Sequence, residues 1–245
     1  YLVNSLQIMK SKNTKKNSEI KSPFGCDFCG RTFAKESTID KHLCEYKRRW
    51  GDKNLKGNRI GFNAWLNFYA KNTSSKKPKT YLDFTKSSYY LAFVKFGHYC
   101  VNTRCVNISR YADWLLKNQI RIDAWTSDKN YTTFLIEYLR QEDPLDAIAR
   151  SMETLIEISK DESIESKDTY RYGPPNRICH NITTGRISPW SLYHSESGAE
   201  FLSKIDTTQQ SMILDYIDPE KWAIKFQRDL DVVVEVKELM QQAGY

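Results

Sequence analysis

The 245-residue sequence lacks several patterns that would assign it to a broad class of protein. It contains no run of 18 or more apolar residues, and its opening segment has no basic region of the kind that begins a secretory signal. Cysteine is scarce, with six residues in the chain, which argues against a disulfide-stapled scaffold. These absences predict an intracellular, cytoplasmic protein without a membrane partner.

Motifs of the common catalytic classes are also missing. The sequence has no glycine-rich phosphate loop, no nucleophile elbow and no H-E-x-x-H metalloprotease motif. Acidic residues cluster in 137–146, but their spacing does not show the converging carboxylates that a metal-dependent nuclease needs. We therefore expect no enzymatic activity and keep a nuclease as an alternative.

Positive charge is concentrated in the first half of the chain. The formal net charge is +7, with residues 1–125 carrying +15 and residues 126–245 carrying −8. A protein of this polarity can contact a polyanion with one end and a different partner with the other. A basic disordered tail on a soluble protein is the alternative explanation.

Composition divides the chain into four predicted segments. They are a flexible basic arm (1–23), a small cysteine-containing module (24–49), a linker (50–59) and a helical domain (60–245). The arm is polar and lysine-rich without periodic apolar positions. A possible subdivision of the helical domain lies near 161–175, where charged residues precede Gly-Pro-Pro.

Apolar residues after position 60 recur at the three- and four-residue spacing of helices. Two of the faces that this spacing predicts to be inward are Phe62, Trp65, Phe68 and Tyr69, and Ile108, Tyr111, Trp114 and Leu115. Asp143-Pro144 and Asp218-Pro219 predict helix starts, because proline at the first helical position needs no N–H partner. No strand is predicted outside the cysteine-containing module.

Two cysteines and a histidine define the clearest motif. The spacing reads Phe24-x-Cys26-x2-Cys29-x3-Phe33-x5-Ile39-x2-His42. Two thiolates three residues apart suit the turn of a small β-hairpin, and a histidine on a following helix can reach the same ion. A module of about 25 residues cannot fold on apolar burial alone, so Zn²⁺ binding would supply its folding free energy.

In this motif the sequence resembles the two-cysteine two-histidine zinc fingers. The resemblance implies a Zn²⁺ cofactor and a small ββα zinc finger. Together with the helical spacing after position 60, it predicts a mainly α fold class, with the finger followed by a larger all-helical domain. The family expects a fourth ligand shortly after the helical histidine, where this sequence has Tyr46 and Lys47. Cys44 is the nearby candidate, and a remote ligand or water is the alternative. Because residues two apart on a helix point about 200° apart, Cys44 could join Cys26, Cys29 and His42 only if the helix ends or tightens at His42.

The same resemblance implies positions for nucleic-acid contact. The places that face the DNA groove in this family hold Lys35, Ser37, Thr38 and Lys41 here. Lysine can donate to guanine acceptors or bind phosphate. A cationic cluster suited to phosphate follows at Lys47, Arg48 and Arg49. A solvated helix end, favoured by the helix dipole, explains that cluster equally well.

One finger alone is a small contact. It covers about 3 base pairs, so further residues would have to contribute if the protein selects a site. The basic-aromatic segment 76–96 could add stacking and phosphate contacts, or its aromatic residues could form a core. A second metal site competes with buried free cysteines, and its candidate ligands are His98, Cys100, Cys105, Cys179 and His180.

A weaker resemblance extends along the whole chain. The phrases CEYKRRW, FVKFGHYCV and GRISPWSLY, with the ending QQAGY, look like uncharacterised zinc-finger proteins of large tailed bacteriophages. Our hypothesis is a phage-encoded zinc-finger accessory protein that bridges DNA, or RNA, and a protein of the replication, recombination or transcription machinery. The alternatives are a structural or protein-interaction protein in which zinc only stabilises the N-terminal module, and a nuclease.

Overall fold

The computed structural model describes residues 24–73 and 77–245, and the predicted arm lies outside them. The chain divides between Gly51 and Asp52 into two compact units, called here the finger unit and the helical unit. The stretch 50–59, expected to be a linker, is helical for most of its length. Its glycines do not form a turn there, because Gly51 ends one helix and Gly57 packs inside the next.

The finger unit contains a hairpin and two short helices. Strands β1 (Phe24–Gly25) and β2 (Thr32–Phe33) pair antiparallel, with Phe24 opposite Phe33. Helix α1 (Glu36–Asp40) follows the hairpin, and α2 (Glu45–Gly51) follows α1. The ββα arrangement is confirmed, and α2 extends it.

The helical unit confirms the mainly α prediction. Its helices are α3 (Lys56–Asn72), α4 (Tyr81–Lys86), α5 (Tyr90–Asn102), α6 (Ile108–Lys117), α7 (Asp128–Leu139), α8 (Pro144–Glu162), α9 (Thr169–Tyr172), α10 (Pro175–Thr183), α11 (Pro189–Tyr193), α12 (Glu196–Lys204), α13 (Thr207–Ile217), α14 (Pro219–Arg228) and α15 (Leu230–Gln242). Short 3₁₀ turns span Asp52–Asn54, Ile122–Ala124 and Ser166–Asp168. No helix of the described chain combines the length and apolar character needed to cross a bilayer.

Two predicted helix starts are confirmed by their capping bonds. The Asp143 side chain accepts hydrogen bonds from the backbone N–H groups of Leu145 and Asp146 at the start of α8. Asp218 caps α14 in the same way. Each carboxylate satisfies amide donors that the first helical turn leaves without an intrahelical partner.

Helices α3 and α5 approach each other through glycines. A Cβ atom built on Gly97 of α5 would lie 1.8 Å from the carbonyl oxygen of Gly57 on α3. A Cβ on Gly61 would lie 2.4 Å from the carbonyl oxygen of Phe93. The two backbones can meet at this distance only because these positions carry no side chain.

Two clusters of buried side chains form the core of the helical unit. The first is dominated by aromatic residues and includes Trp65, Phe84, Phe93, Phe96 and Tyr111. The second is mainly aliphatic and includes Leu155, Ile158, Ile178, Ile182 and Ile213. Helix α8 contributes to both clusters, and the stretch 161–175 lies within one compact unit. The first cluster also contains most aromatic residues of the described part of segment 76–96, so these residues belong to the core.

Candidate metal-binding site

The hairpin turn places the first two candidate ligands, Cys26 and Cys29. The N–H of Cys26 donates to the Arg31 carbonyl at 2.8 Å, and the N–H of Gly30 donates to the Cys26 carbonyl at 2.8 Å. Gly30 adopts a φ of +72°, a conformation that other residues rarely tolerate. This tight turn folds Cys29 back towards Cys26.

The end of α1 places the other two candidate ligands, His42 and Cys44. The helix stops at Asp40, and the N–H of His42 donates to the Ile39 carbonyl at 3.0 Å in a tightened last turn. His42 therefore lies just after the helix rather than within it, with its ring 4.7 Å from the Phe33 ring. Cys44 immediately precedes α2, where its Sγ accepts from the N–H of Lys47 at 3.4 Å. The helix thus ends before His42, which is the condition under which Cys44 can join the other three side chains.

The four predicted ligands converge. The ligand atoms of Cys26, Cys29, His42 and Cys44 all lie within 4.8 Å of one another. Cys29 Sγ is 3.2 Å from His42 Nε2, and Cys26 Sγ is 3.9 Å from Cys44 Sγ. Cys26 is buried and the other three are partly buried. This cluster could hold a metal ion.

Proximity couples the ionisation of the cysteines. Burial opposes ionisation of Cys26, but backbone N–H groups and the neighbouring thiols outweigh it, so its pKa lies below the ordinary value. The pKa of Cys29 is raised: the Arg31 N–H lowers it, whereas burial and the Cys26 and Cys44 thiols raise it by more. Thiolates this close repel each other, and a bound cation would relieve that repulsion.

The residues predicted to contact nucleic acid differ in their accessibility. Lys35, Ser37, Thr38, Lys41 and Arg48 are exposed, whereas Lys47 and Arg49 are partly buried. The Lys47 Nζ donates to the His42 carbonyl at 3.4 Å. Arg49 pairs with Glu45 and lies over the Tyr46 ring, 5.8 Å from its centroid. These two side chains are engaged within the finger unit.

A second metal site is not assembled among the described residues. In the part of the chain that the structure describes, the only group of three or more metal-ligand side chains is the one in the finger unit. The Nε2 of His98 lies 3.1 Å from Asn58 Oδ1 instead. Cys100 and Cys179 are buried free thiols. For these two cysteines the structure shows the alternative to a second metal site, which is a buried free thiol.

The sequence pattern indicated a helix end at 47–49, but it did not predict that a separate helix begins after Cys44. Helix α2 begins directly after Cys44, and its backbone N–H group at Lys47 contacts the sulfur. The pattern Glu45-x3-Arg49, an ion pair at one-turn spacing, could have predicted this helix.

Comparisons with known proteins assign no family. No protein-family model, curated protein or solved structure matches this chain. The bacteriophage resemblance therefore stays a prediction, and the geometry of the described residues is the basis for assigning a function.

Proposed function

We propose that this chain is a zinc-dependent nucleic-acid-binding protein, in which the metal organises residues 24–51 and exposed basic side chains of that unit contact phosphates. The observation that carries the proposal is the convergence of Cys26, Cys29, His42 and Cys44. The basic first half of the chain supports the choice of a polyanion as ligand.

The donor set favours zinc over other common ions. Three sulfurs and one imidazole nitrogen form a set that zinc accepts in structural sites, whereas Ca²⁺ and Mg²⁺ require oxygen ligands. With Zn–S bonds of about 2.3 Å, a tetrahedral site separates two sulfurs by about 3.8 Å. The 3.9 Å between Cys26 Sγ and Cys44 Sγ agrees with that separation. Among residues 24–51, Cys26 is the one buried side chain, so apolar burial contributes little to folding of this unit. Metal binding would supply the missing folding free energy.

The shape of the finger unit favours phosphate contacts over base readout. Helix α1 has five residues and is about 7.5 Å long, which is short for an element that must reach base edges in the major groove. The exposed cations Lys35, Lys41 and Arg48 can bind phosphates without entering the groove. We therefore propose binding with little sequence preference from this unit.

A charge-neutralising triple variant tests the proposal. We expect K35Q/K41Q/R48Q to weaken binding of zinc-loaded protein to duplex DNA or RNA, and to reduce the slope of log affinity against log salt by about 0.9 per lost phosphate contact. Fluorescence anisotropy at several salt concentrations measures both. The matched control is K129Q/K160Q/K237Q, which removes the same charge from exposed positions of the helical unit. A salt-independent affinity, or equal effects of the two variants, would contradict the proposal.

A structural role for the metal is the second candidate. It is favoured by Cys44, which lies at the start of α2 and would join that helix to the hairpin through the ion. In this case the triple variant keeps full function, whereas C26A unfolds the finger unit. Pull-down with and without nuclease treatment then separates direct protein partners, for which the acidic second half is our proposed surface, from partners held through nucleic acid.

A further inference from the structure

Helix α6 presents an aromatic residue between two cations. Arg110, Trp114 and Lys117 are spaced by four and three residues, so they follow one face of the helix. Arg110 and Lys117 are exposed, and Trp114 is only partly buried. The sequence pattern predicted Trp114 to face inward, and the side chain does pack against the aromatic core cluster, but part of it stays exposed beside α7.

A groove of about 480 Å³ lies along this face. Its lining includes Lys71 from α3, four residues of α6, which are Arg110, Asp113, Trp114 and Lys117, and Glu137 among the residues of α7. We call it the α6–α7 groove. Its volume falls within the ~300–1,000 Å³ range of ligand-binding clefts.

A hydrogen bond and a ring contact fix the orientation of the Trp114 side chain. Its indole N–H donates to Glu137 Oε2 at 2.7 Å, and the ring makes an edge contact with Phe134 at a centroid distance of 6.1 Å. Four of the six tryptophans, Trp65, Trp125, Trp190 and Trp222, are instead almost fully buried. Trp114 is therefore fixed in direction while remaining accessible to a ligand.

The charges of the groove favour an anionic ligand at its exposed end. Lys71 is paired with Asp113 at 2.6 Å, and Asp113 also accepts from Asn67. Glu137 accepts the hydrogen bond from the Trp114 indole N–H. Within the described chain, Arg110 and Lys117 form no ion pair within 4.0 Å, so both cations remain available. Their Cα atoms are about 10 Å apart along the helix axis, which is roughly three stacked nucleotides at 3.4 Å each.

We propose that the α6–α7 groove binds a short stretch of single-stranded nucleic acid, with a base stacked on Trp114 and phosphates held by Arg110 and Lys117. Stacking on an accessible ring needs an unpaired base, which a duplex does not offer. The proposal extends the nucleic-acid binding proposed above to the helical unit, but it rests on different residues.

The test uses zinc-loaded, full-length protein and single strands of about 12 nucleotides, within the ~4–16 nucleotide sites of single-strand binders. Oligothymidylate and oligouridylate are the two probes, and binding of either supports the proposal. We expect R110Q/K117Q to reduce the salt slope by about 1.4, at ~0.7 per phosphate on single strands. The control K160Q/K237Q should leave the slope unchanged.

Tryptophan fluorescence separates stacking from simple charge attraction. We expect the oligonucleotide to quench the emission of the wild-type protein, and W114F to lose that quenching while keeping affinity within about 3-fold, because its ring still stacks. W114L removes the ring and should lower affinity by about 10-fold. Circular dichroism melting checks that both variants are folded.

Two results would overturn the proposal: equal affinity of R110Q/K117Q and its control, or binding of a duplex of the same length through Trp114 at least as tightly. The finger variant K35Q/K41Q/R48Q is assayed in parallel. Because it keeps the groove, its Trp114 quenching reports on the groove alone. Loss of duplex binding in that variant reports on the finger unit alone, so the two proposals can fail separately.

Discussion

Cys44 shows how one residue can complete a site from an unusual position. It lies two residues after His42, and it reaches the cluster because α1 has already ended at Asp40. Its sulfur also accepts the Lys47 N–H at the start of α2, so the same residue contacts both the cluster and the helix that follows it.

We predict that C44S lowers zinc affinity by more than about 10-fold, since the hydroxyl is a poor replacement for a thiolate ligand. Competition against a chromogenic chelator measures the affinity. C105S is the control, because Cys105 lies in the helical unit outside the cluster. Unchanged affinity in C44S would mean that the fourth ligand is another group.

Glu157 is a partly exposed carboxylate held by two arginines. Hydrogen bonds from Arg186 at 2.6 Å and Arg104 at 2.8 Å lower its pKa from 4.5 to about 2. The three residues connect α8 with the turns that follow α5 and α10. Because the folded-state pKa lies below the unfolded value, this network contributes stability that is complete above pH 4.5 and is lost as the pH falls towards 2.

We predict that E157Q lowers the free energy of unfolding by about 0.5–1 kcal/mol at neutral pH, a small value because the carboxylate is 40% exposed to solvent. The difference from wild type should shrink as the pH falls from 4.5 towards 2. Urea denaturation at several pH values measures it. E153Q, an exposed neighbour on α8, should show no comparable pH dependence.

At the scale of elements, the close packing of α3 against α5 depends on glycine residues at the contact. Gly97 is the closest point, since a Cβ there would lie 1.8 Å from the Gly57 carbonyl oxygen. Backbone at this position cannot move aside as a flexible side chain would, so the helices must separate.

We predict that G97A destabilises the helical unit by about 3 kcal/mol or more, as judged by thermal unfolding. G51A provides the matched substitution, because a Cβ on Gly51 meets no atom within 4 Å. G51A should be neutral or slightly stabilising, since alanine has the higher helix propensity. Equal melting temperatures for the two variants would refute the close approach of α3 and α5.

At the scale of the whole molecule, the two units should respond differently to metal removal. Residues 24–51 have almost no buried apolar side chains, whereas the helical unit has two extensive core clusters. We predict that a chelator unfolds residues 24–51 and leaves the main unfolding transition in place. Far-ultraviolet circular dichroism should retain most helix, while Trp50, the one tryptophan of residues 24–51, changes emission. Loss of the whole helical spectrum on chelation would contradict this division.

Local features of the sequence determined the helical character of the chain and three of the candidate metal ligands. The Cys26-x2-Cys29 spacing forms one tight turn, and Asp143-Pro144 and Asp218-Pro219 cap helices with their own carboxylates. The cysteine turn and the two caps depend on residues within a few positions of each other, which is why spacing and residue type were sufficient to predict them. His42 lies 13 positions after Cys29 and was predicted from the spacing typical of zinc fingers.

Tertiary structure alone decided the features that depend on distant neighbours. Gly57 does not mark a turn, because it lies inside α3 and its backbone packs against Gly97, forty positions away. Trp114 remained partly exposed, with Glu137 and Phe134 of α7 fixing its position from one side. Periodicity identifies the faces of a helix, but which face a neighbouring helix covers is set by how the whole core packs.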